Sequence, residues 1–195
     1  LIPEFPGQTH RFFIDEINCI EQSGRRVHVV STRRPSLPIA DDRMLAAWSR
    51  RTIYVLEKLP QFLRGFSPLS LFRGLRSVYR AKPIPNIKSM PEIARVTACM
   101  AAGHWIASYC RAHRIRHVNT HSAAACAWMA YFAHLHADIN YSICLHSDIS
   151  AFGEGQSIKW SCATFGCVVS AAARESLANA VGALSTPIIA LPMAI

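Results

Sequence analysis

Segments typical of strands and of helices alternate along most of this chain. Short runs rich in β-branched residues, such as 27–30 and 167–169, stand between stretches whose apolar residues recur at helical spacing, such as 93–113 and 171–181. Strands and helices that alternate in this way form βαβ units, whose two strands are parallel. The sequence therefore predicts an α/β fold built on a doubly wound parallel sheet.

The individual elements can be placed from turn and capping residues. Strands are predicted at 1–3, 27–30, 117–120, 141–145, 167–169 and 187–191. A first helix is predicted to begin at Thr9, a suitable N-cap, and to end before Gly24, and Ser170 is predicted to cap the last helix. Further helices are predicted at 93–113, 123–134, 158–163 and 171–181.

Size and composition favour one domain that spans residues 1–195. Half of the residues are hydrophobic (51%) and only 17% are charged, which suits a single well-formed core. The chain has no apolar run long enough to span a membrane, and its first twenty residues carry Glu4, Asp15 and Glu16 in place of a signal sequence. We expect a cytoplasmic protein, trimmed at its start because it opens without Met in what resembles the tail of a strand.

Cysteine and histidine usage argues against a metal centre. The seven cysteines form no CxxC pair, so we expect reduced, buried thiols. His113, His117 and His121 are spaced by four, but this stretch reads as a helix end that runs into a strand. They would not share one helical face, and no metal site is predicted.

A basic helical insertion interrupts the alternation at about residues 36–90. Between Arg43 and Lys88 the chain has ten Lys or Arg residues, with Glu57 as the only acidic residue, and the net charge of the whole chain is +9. Apolar and aromatic residues are interleaved with these cations, so short amphipathic helices are expected. They would dock on an anionic membrane surface or, alternatively, form a solvated basic face while covering the sheet.

Three loops qualify as site candidates by position alone, because ligands of open parallel sheets bind beyond the carboxyl ends of the strands. The residues that these loops place at that edge are Gly7, Gln8 and Thr9 after the first strand, His121 and Ser122 after strand 117–120, and His146, Ser147 and Asp148 after strand 141–145. Gly7 would allow backbone amides to approach a phosphate or a sugar. An ordinary strand-to-helix turn is the alternative for this first loop.

His121, His146 and Asp148 are the candidate catalytic residues. A histidine at this edge can bond to a sugar hydroxyl or a phosphate and exchange protons near neutral pH, whereas Asp148 would accept a proton or orient His146. Alternatively, both histidines are structural and close their loops. Ser170 and Arg174 are secondary candidates, although Ser170 lacks the flanking glycines of a hydrolase nucleophile.

The order and spacing of several motifs resemble a known family. HVNTH at 117–121 is similar to an H-I-H-A-H strand, and YSICLHSDI at 141–149 to the segment Y-S-F-T-x-H-x-x-D-I. Segments 3–10, 24–35 and 168–174 resemble the family's first loop, second strand and V-x-V-S-E-x-x-R step. The family is the retaining glycosyltransferases of family 4, of GT-B fold and of the bacterial cell-surface polysaccharide type, and the likeness is to their N-terminal, Rossmann-like domain.

This resemblance implies transfer of a sugar from a nucleotide-sugar to a glycan or lipid-linked acceptor. It implies that Gly7 lines the donor phosphates and that His121 and His146 contact the transferred sugar or the acceptor hydroxyl, without a metal or other cofactor. In the family, a C-terminal Rossmann domain holds most of the donor, and this chain stops before it. We therefore expect the isolated acceptor-side half to be inactive.

Two other functions stay open at this point. One is a non-catalytic nucleotide-binding or nucleic-acid-binding α/β domain, which the positive charge favours. The absence of a P-loop, of GxGxxG and of aromatic stacking motifs argues against it, so no nucleic-acid partner is expected. The other is a nucleotide-sugar epimerase of the same two-domain architecture.

Overall fold

A computed structural model describes residues 1–7, 11–35, 43–58, 90–182 and 185–191. The chain divides into two compact units, Leu1–Lys58 and Leu59–Ile195, and each is described by itself.

The first unit contains a three-stranded parallel sheet. Its strands, in sheet order, are β1 (Ile2–Glu4), β2 (Val30–Arg33) and β3 (Ile53–Tyr54). Its helices are α1 (Arg11–Gln22), α2 (Arg43–Arg51) and a short 3₁₀ helix at Val55–Lys58. Helix α1 contributes Phe13, Ile14 and Ile17 to the core, and Phe5 packs edge-on against Phe13 and Trp48. The helical spacing of these residues accounts for the buried face of α1.

The prediction of a strand at 27–30 is wrong by three residues. In the structure β2 runs from Val30 to Arg33, because its neighbours pair with that part of the chain: Ile2 is in register with Ser31, and Glu4 with Arg33. The Arg33 guanidinium also forms a 2.8 Å ion pair with Glu4. Pairing partners, which are distant in sequence, set the strand bounds more strongly than the β-branched residues do.

The second unit contains a four-stranded parallel sheet. Its strands, in sheet order, are β4 (His117–Thr120), β5 (Asn140–Leu145), β6 (Phe165–Val168) and β7 (Ile188–Ala190). Its helices are α3 (Met90–Ala112), α4 (Ala125–Ala137), α5 (Gln156–Ser161), α6 (Ala171–Val181) and a 3₁₀ helix at Ile149–Phe152. Strand β4 and helix α6 have the predicted bounds. The other predicted elements of this unit are present with bounds shifted by one to three residues.

Helix α4 is the centre of the second core. Residues 126–133 are all buried, which explains why this helix is apolar on every side. Gly103 of α3 lets the two helices approach closely, because a Cβ atom there would lie 2.6 Å from the Cβ of Phe132. Helix α4 in turn packs against β4 and β5 of the sheet.

The strand order of the second sheet follows the chain order. Right-handed crossovers then place helices α4, α5 and α6 on the same face of the sheet. The side chains of Tyr141, Ile143 and Leu145, which alternate along β5 towards that face, are completely buried. The prediction of an α/β fold with parallel sheets is confirmed, while the doubly wound arrangement and the single domain stay predictions.

Several other predictions can be compared with the structure. All seven cysteines carry free thiols; Cys99, Cys110 and Cys126 are buried, but Cys19 and Cys162 are exposed, so the expectation of burial is wrong for these two. Among the described helices, none has the length and apolar character needed to cross a membrane. Most of the predicted basic insertion, including residues 59–89, lies outside the described residues, and its membrane docking stays a prediction.

Candidate functional site

Strands β4 and β5 present polar side chains on the face of the sheet opposite to Ile143. Asn119 is in register with Ser142, and Thr120 with Ile143. Since side chains alternate between the two faces of a sheet, every second residue from each strand lies on this polar face. The members of the polar face are His117, Asn119, His121, Ser142, Cys144 and His146.

Five of these side chains form a continuous chain of hydrogen bonds. The Nε2 atom of His117 is 2.8 Å from Ser142 Oγ, and that hydroxyl donates to Asn119 Oδ1 at 2.8 Å. Asn119 Nδ2 is 3.2 Å from Nε2 of His121. His121 Nδ1 is in turn 3.1 Å from Nε2 of His146. This series of hydrogen bonds therefore links the amino end of β4 to the loop that follows β5.

The donors and acceptors of this chain fix the histidine tautomers. Ser142 spends its one proton on the amide oxygen of Asn119, so it accepts from Nε2–H of His117. The amide nitrogen of Asn119 only donates, so Nε2 of His121 accepts. The proton of His121 is then on Nδ1 and is donated to Nε2 of His146. Neutral His146 consequently carries its own proton on Nδ1.

The two linked rings are held uncharged. Burial, together with the neighbouring His146, lowers the pKa of His121 to about 2, and burial also lowers the pKa of His146. The ring centroids are 5.4 Å apart and the ring planes differ by 20°, so the two rings are nearly parallel and meet edge to edge through the hydrogen bond between them. Both nitrogens of His121 take part in the hydrogen-bond chain, which orients the ring of His146.

Asp148 is engaged in holding its own loop. One carboxylate oxygen accepts from the Ser150 amide at 2.9 Å, at the start of the 3₁₀ helix, and the other accepts from the Ser176 hydroxyl of α6 at 2.7 Å. These bonds lower the pKa of Asp148 to about 2. The geometry favours a capping role over the predicted role as proton acceptor or as the group that orients His146.

The secondary candidates also have local structural roles. Ser122 is buried, and its hydroxyl accepts from the Ala124 amide at 3.1 Å. Ser170 accepts from the Ala173 amide at 3.1 Å, which confirms the predicted N-cap of α6. Arg174 is exposed on the first turn of that helix.

The first candidate loop is described only in part. Gly7 is half-buried just after β1, whereas Gln8 and Thr9 lie outside the described residues. Gly7 belongs to the first unit and His121 to the second, and the predicted phosphate-binding role of this loop stays a prediction.

Four residues of the second unit that the structure brings into hydrogen-bond networks were not predicted from the sequence. Lys159 of α5 is completely buried, and Gln156 of the same helix is 8% exposed. A lysine between two apolar residues, Ile158 and Trp160, is the available signal in the sequence. Asn119 and Ser142 were also missed, and their signal is a polar residue at alternate positions of a strand.

Among the residues that the structure describes, no group of three or more His, Cys, Asp and Glu side chains converges in a way that would hold a metal ion.

The comparisons with known proteins leave the family open. No model of a known protein family matches the chain, and no curated protein matches it either.

Proposed function

We propose that this chain is the acceptor-side, Rossmann-like half of a GT-B glycosyltransferase. The enzyme would transfer a sugar from a nucleotide-sugar to a glycan or lipid-linked acceptor with retention at the anomeric carbon. The observation that carries the proposal is the 3.1 Å hydrogen bond between His121 and His146, beyond the carboxyl ends of two neighbouring parallel strands. Ligands of open α/β sheets bind at this edge. The doubly wound arrangement and a donor-binding second domain belong to the same proposal.

His146 is the residue that we assign to the sugar. Because its Nε2 atom accepts from His121, Nδ1–H is the remaining donor of His146. In the described residues the Nδ1 atom is shielded from solvent, so its donation to a hydroxyl of the transferred sugar or of the acceptor requires a shift of the loop after β5 when the ligand binds. Glycosyl transfer builds positive charge on the sugar ring in an oxocarbenium-like transition state. A charged imidazolium would oppose that charge, and the lowered pKa of His146 keeps its ring neutral.

The roles that we assign to Gly7, His121 and Asp148 rest on their positions near the carboxyl ends of the strands and on the resemblance to the glycosyltransferases. Cationic side chains and helix N-termini of the donor-binding domain, which is not part of this chain, would bind the leaving diphosphate. The loop at Gly7 is the part of this chain that we assign to the donor phosphates. His121 is a positioning residue, because it holds the tautomer and the plane of His146. Asp148 supports the loop that carries His146 through its bonds to Ser150 and Ser176.

Turnover by a protein that contains both this chain and the donor-binding half tests the assignment. We expect His146→Ala to lower kcat roughly 10²- to 10³-fold, as the loss of one preorganised hydrogen-bond donor to the reacting sugar does. His121→Ala should have a smaller effect of about tenfold, because it acts through one hydrogen bond. His113→Ala, at an exposed position after α3, is the matched control. Unchanged turnover in both His121→Ala and His146→Ala would sink the site assignment.

Binding to the 195-residue chain separates the competing functions. In saturation-transfer NMR against nucleotide-sugars and oligosaccharides, we expect a glycan signal that weakens in His121→Ala, with little nucleotide signal. Tight nucleotide binding without glycan binding would instead identify a nucleotide-binding domain. Steeply salt-dependent oligonucleotide binding would identify a nucleic-acid module, and a converted nucleotide-sugar without any acceptor would identify an epimerase.

A further inference from the structure

Two side chains of α5 bind both of the loops that follow β4 and β5. Lys159 Nζ donates to the carbonyl oxygen of Ala123 at 2.6 Å and to that of Phe152 at 3.3 Å. Gln156 Nε2 lies 3.4 Å from the Ala123 oxygen, 3.1 Å from the Phe152 oxygen and 2.8 Å from the Gly153 oxygen. Ala123 follows His121 by two residues, and Phe152 ends the 3₁₀ helix after His146. The same two donors thus reach the backbone on each side of the histidine pair.

The surroundings of Lys159 are expensive for a cation. Its side chain is completely buried, and Nζ lies 5.6 Å from the centre of the Trp128 ring. Burial of an ammonium group costs several kcal/mol unless hydrogen bonds and nearby charges compensate for the lost water. Two carbonyl acceptors and the face of an indole ring supply part of that compensation.

Among the described residues, no carboxylate forms an ion pair with Lys159. Burial is the largest cause of the lowered pKa of Lys159, about 7, and Arg95 lowers it further. Cys99, Glu154 and Glu92 raise it by smaller amounts. In either protonation state the amine retains N–H groups for both carbonyl acceptors. Because burial of the Lys159 amine costs free energy, a gain in stability does not explain its position in the core. The two loops that its hydrogen bonds connect offer a better explanation.

We propose that Lys159 and Gln156 are positioning residues that clamp the loops after β4 and β5 together and so maintain the hydrogen bond between His121 and His146. The two loops leave adjacent strands, and the histidines lie 25 residues apart in sequence, so their distance depends on tertiary contacts. The carbonyl oxygens of Ala123 and Phe152 both accept from Lys159 Nζ and Gln156 Nε2. The two loops therefore cannot separate unless these hydrogen bonds break. The effect of the clamp on turnover rests on the proposed function, but its effect on the histidine pair does not.

Histidine ring NMR on the 195-residue chain tests the clamp without an activity assay. In the unmodified chain, we expect a slowly exchanging Nδ1–H signal from His121 and an unprotonated Nε2. Lys159→Met keeps nearly the same length and volume of the side chain but removes its hydrogen bonds to the carbonyl oxygens of Ala123 and Phe152. We expect it to accelerate exchange of the His121 Nδ1–H about tenfold, the effect of losing one net hydrogen bond from the site. The pKa of His146 should rise towards its ordinary value.

A second variant and a control complete the experiment. Gln156→Leu keeps the lysine and removes only the amide donors, and it carries the same test if Lys159→Met does not fold. Ser161→Ala, at an exposed position of the same helix, should leave both histidine signals unchanged. Unchanged His121 exchange and unchanged His146 titration in folded Lys159→Met and Gln156→Leu would overturn the proposal.

Turnover measurements distinguish failure of the clamp from failure of the proposed function. In the protein that includes the donor-binding half, we expect Gln156→Leu and Lys159→Met to lower kcat about tenfold with little change in KM, because ground-state contacts to the substrate are kept. Altered histidine signals without any transferase activity would contradict the proposed function and leave the clamp standing. If turnover depends on His146 but the histidine signals are unaltered in Gln156→Leu and Lys159→Met, the proposed function stands and the clamp is contradicted.

Discussion

The two faces of the second sheet differ along one and the same strand. Tyr141, Ile143 and Leu145 of β5 point towards the helices and are completely buried. Ser142 lies between them on the opposite face and is equally buried, but it is held there by hydrogen bonds to His117 and Asn119. Neighbouring residues with the same backbone pairing are thus stabilised in different ways.

The two faces contribute unequally to the stability of the sheet. Burial of an apolar side chain contributes roughly 1.5–3 kcal/mol, because water is removed from a large area. A hydrogen bond contributes only about 1 kcal/mol net, because water offers the same groups equivalent partners in the unfolded chain. The polar face therefore contributes little to folding energy, while its directional bonds fix which nitrogen of each histidine carries the proton.

Truncation of one residue on each face should change the free energy of unfolding by very different amounts. We expect Ile143→Ala to reduce the free energy of unfolding by about 2–5 kcal/mol, because it removes packing and leaves a cavity beneath α4. Cys144→Ala, one residue further along and half-buried on the polar face, should cost less than about 1 kcal/mol. Urea unfolding of both variants measures the difference, and equal losses would mean that the two faces do not differ in this way.

Acid should weaken the polar face selectively. The pKa of His121 in the folded chain, about 2, lies below its ordinary value of 6.5, so the unfolded chain binds more protons between these values. Stability due to neutral His121 is complete above about pH 6.5 and is lost as pH falls below it, by roughly 1.4 kcal/mol per pH unit. Between about pH 7.5 and pH 5 we therefore expect a loss of about 2 kcal/mol from this residue.

The control for the acid effect is His121→Gln, which keeps polar groups near both ring positions but does not titrate. Subtracting its unfolding free energy from that of the unmodified chain at each pH isolates the contribution of His121. An identical pH dependence in the two proteins would show that His121 does not have a lowered pKa.

Removal of a single hydroxyl from the polar face should have a small but measurable effect on stability. Ser142→Ala takes away the donor to Asn119 Oδ1 and the acceptor of His117, and we expect it to cost about 1 kcal/mol. Ser147→Ala, at an exposed position of the loop after β5, should stay within about 0.5 kcal/mol of the unmodified chain. Thermal unfolding measures both, and a neutral Ser142→Ala would indicate that the hydrogen-bond chain does not stabilise the fold.

Much of the second unit was predictable because its signals are local. The bounds of β4 follow from β-branched residues before a turn, and those of α6 from the cap at Ser170 and the glycine at 182. The placement of His121 and His146 at one edge of the sheet also followed, because parallel strands end at the same edge. The shift of β2 was not predictable in this way, since its bounds depend on the register with β1.

Local patterns in the sequence predict the alternation of strands and helices, the parallel sheets and the edge at which the two histidines lie, because each rests on a periodicity within a few consecutive residues. Three other features follow only from tertiary contacts: His121 is neutral and bonded through both nitrogens, Asp148 caps its loop, and Lys159 is buried. Each of these outcomes depends on partners that are distant in sequence: 25 residues separate His121 from His146, 28 separate Asp148 from Ser176, and 36 separate Lys159 from Ala123. Burial and hydrogen-bond direction, which set pKa and tautomer, arise only when such partners meet.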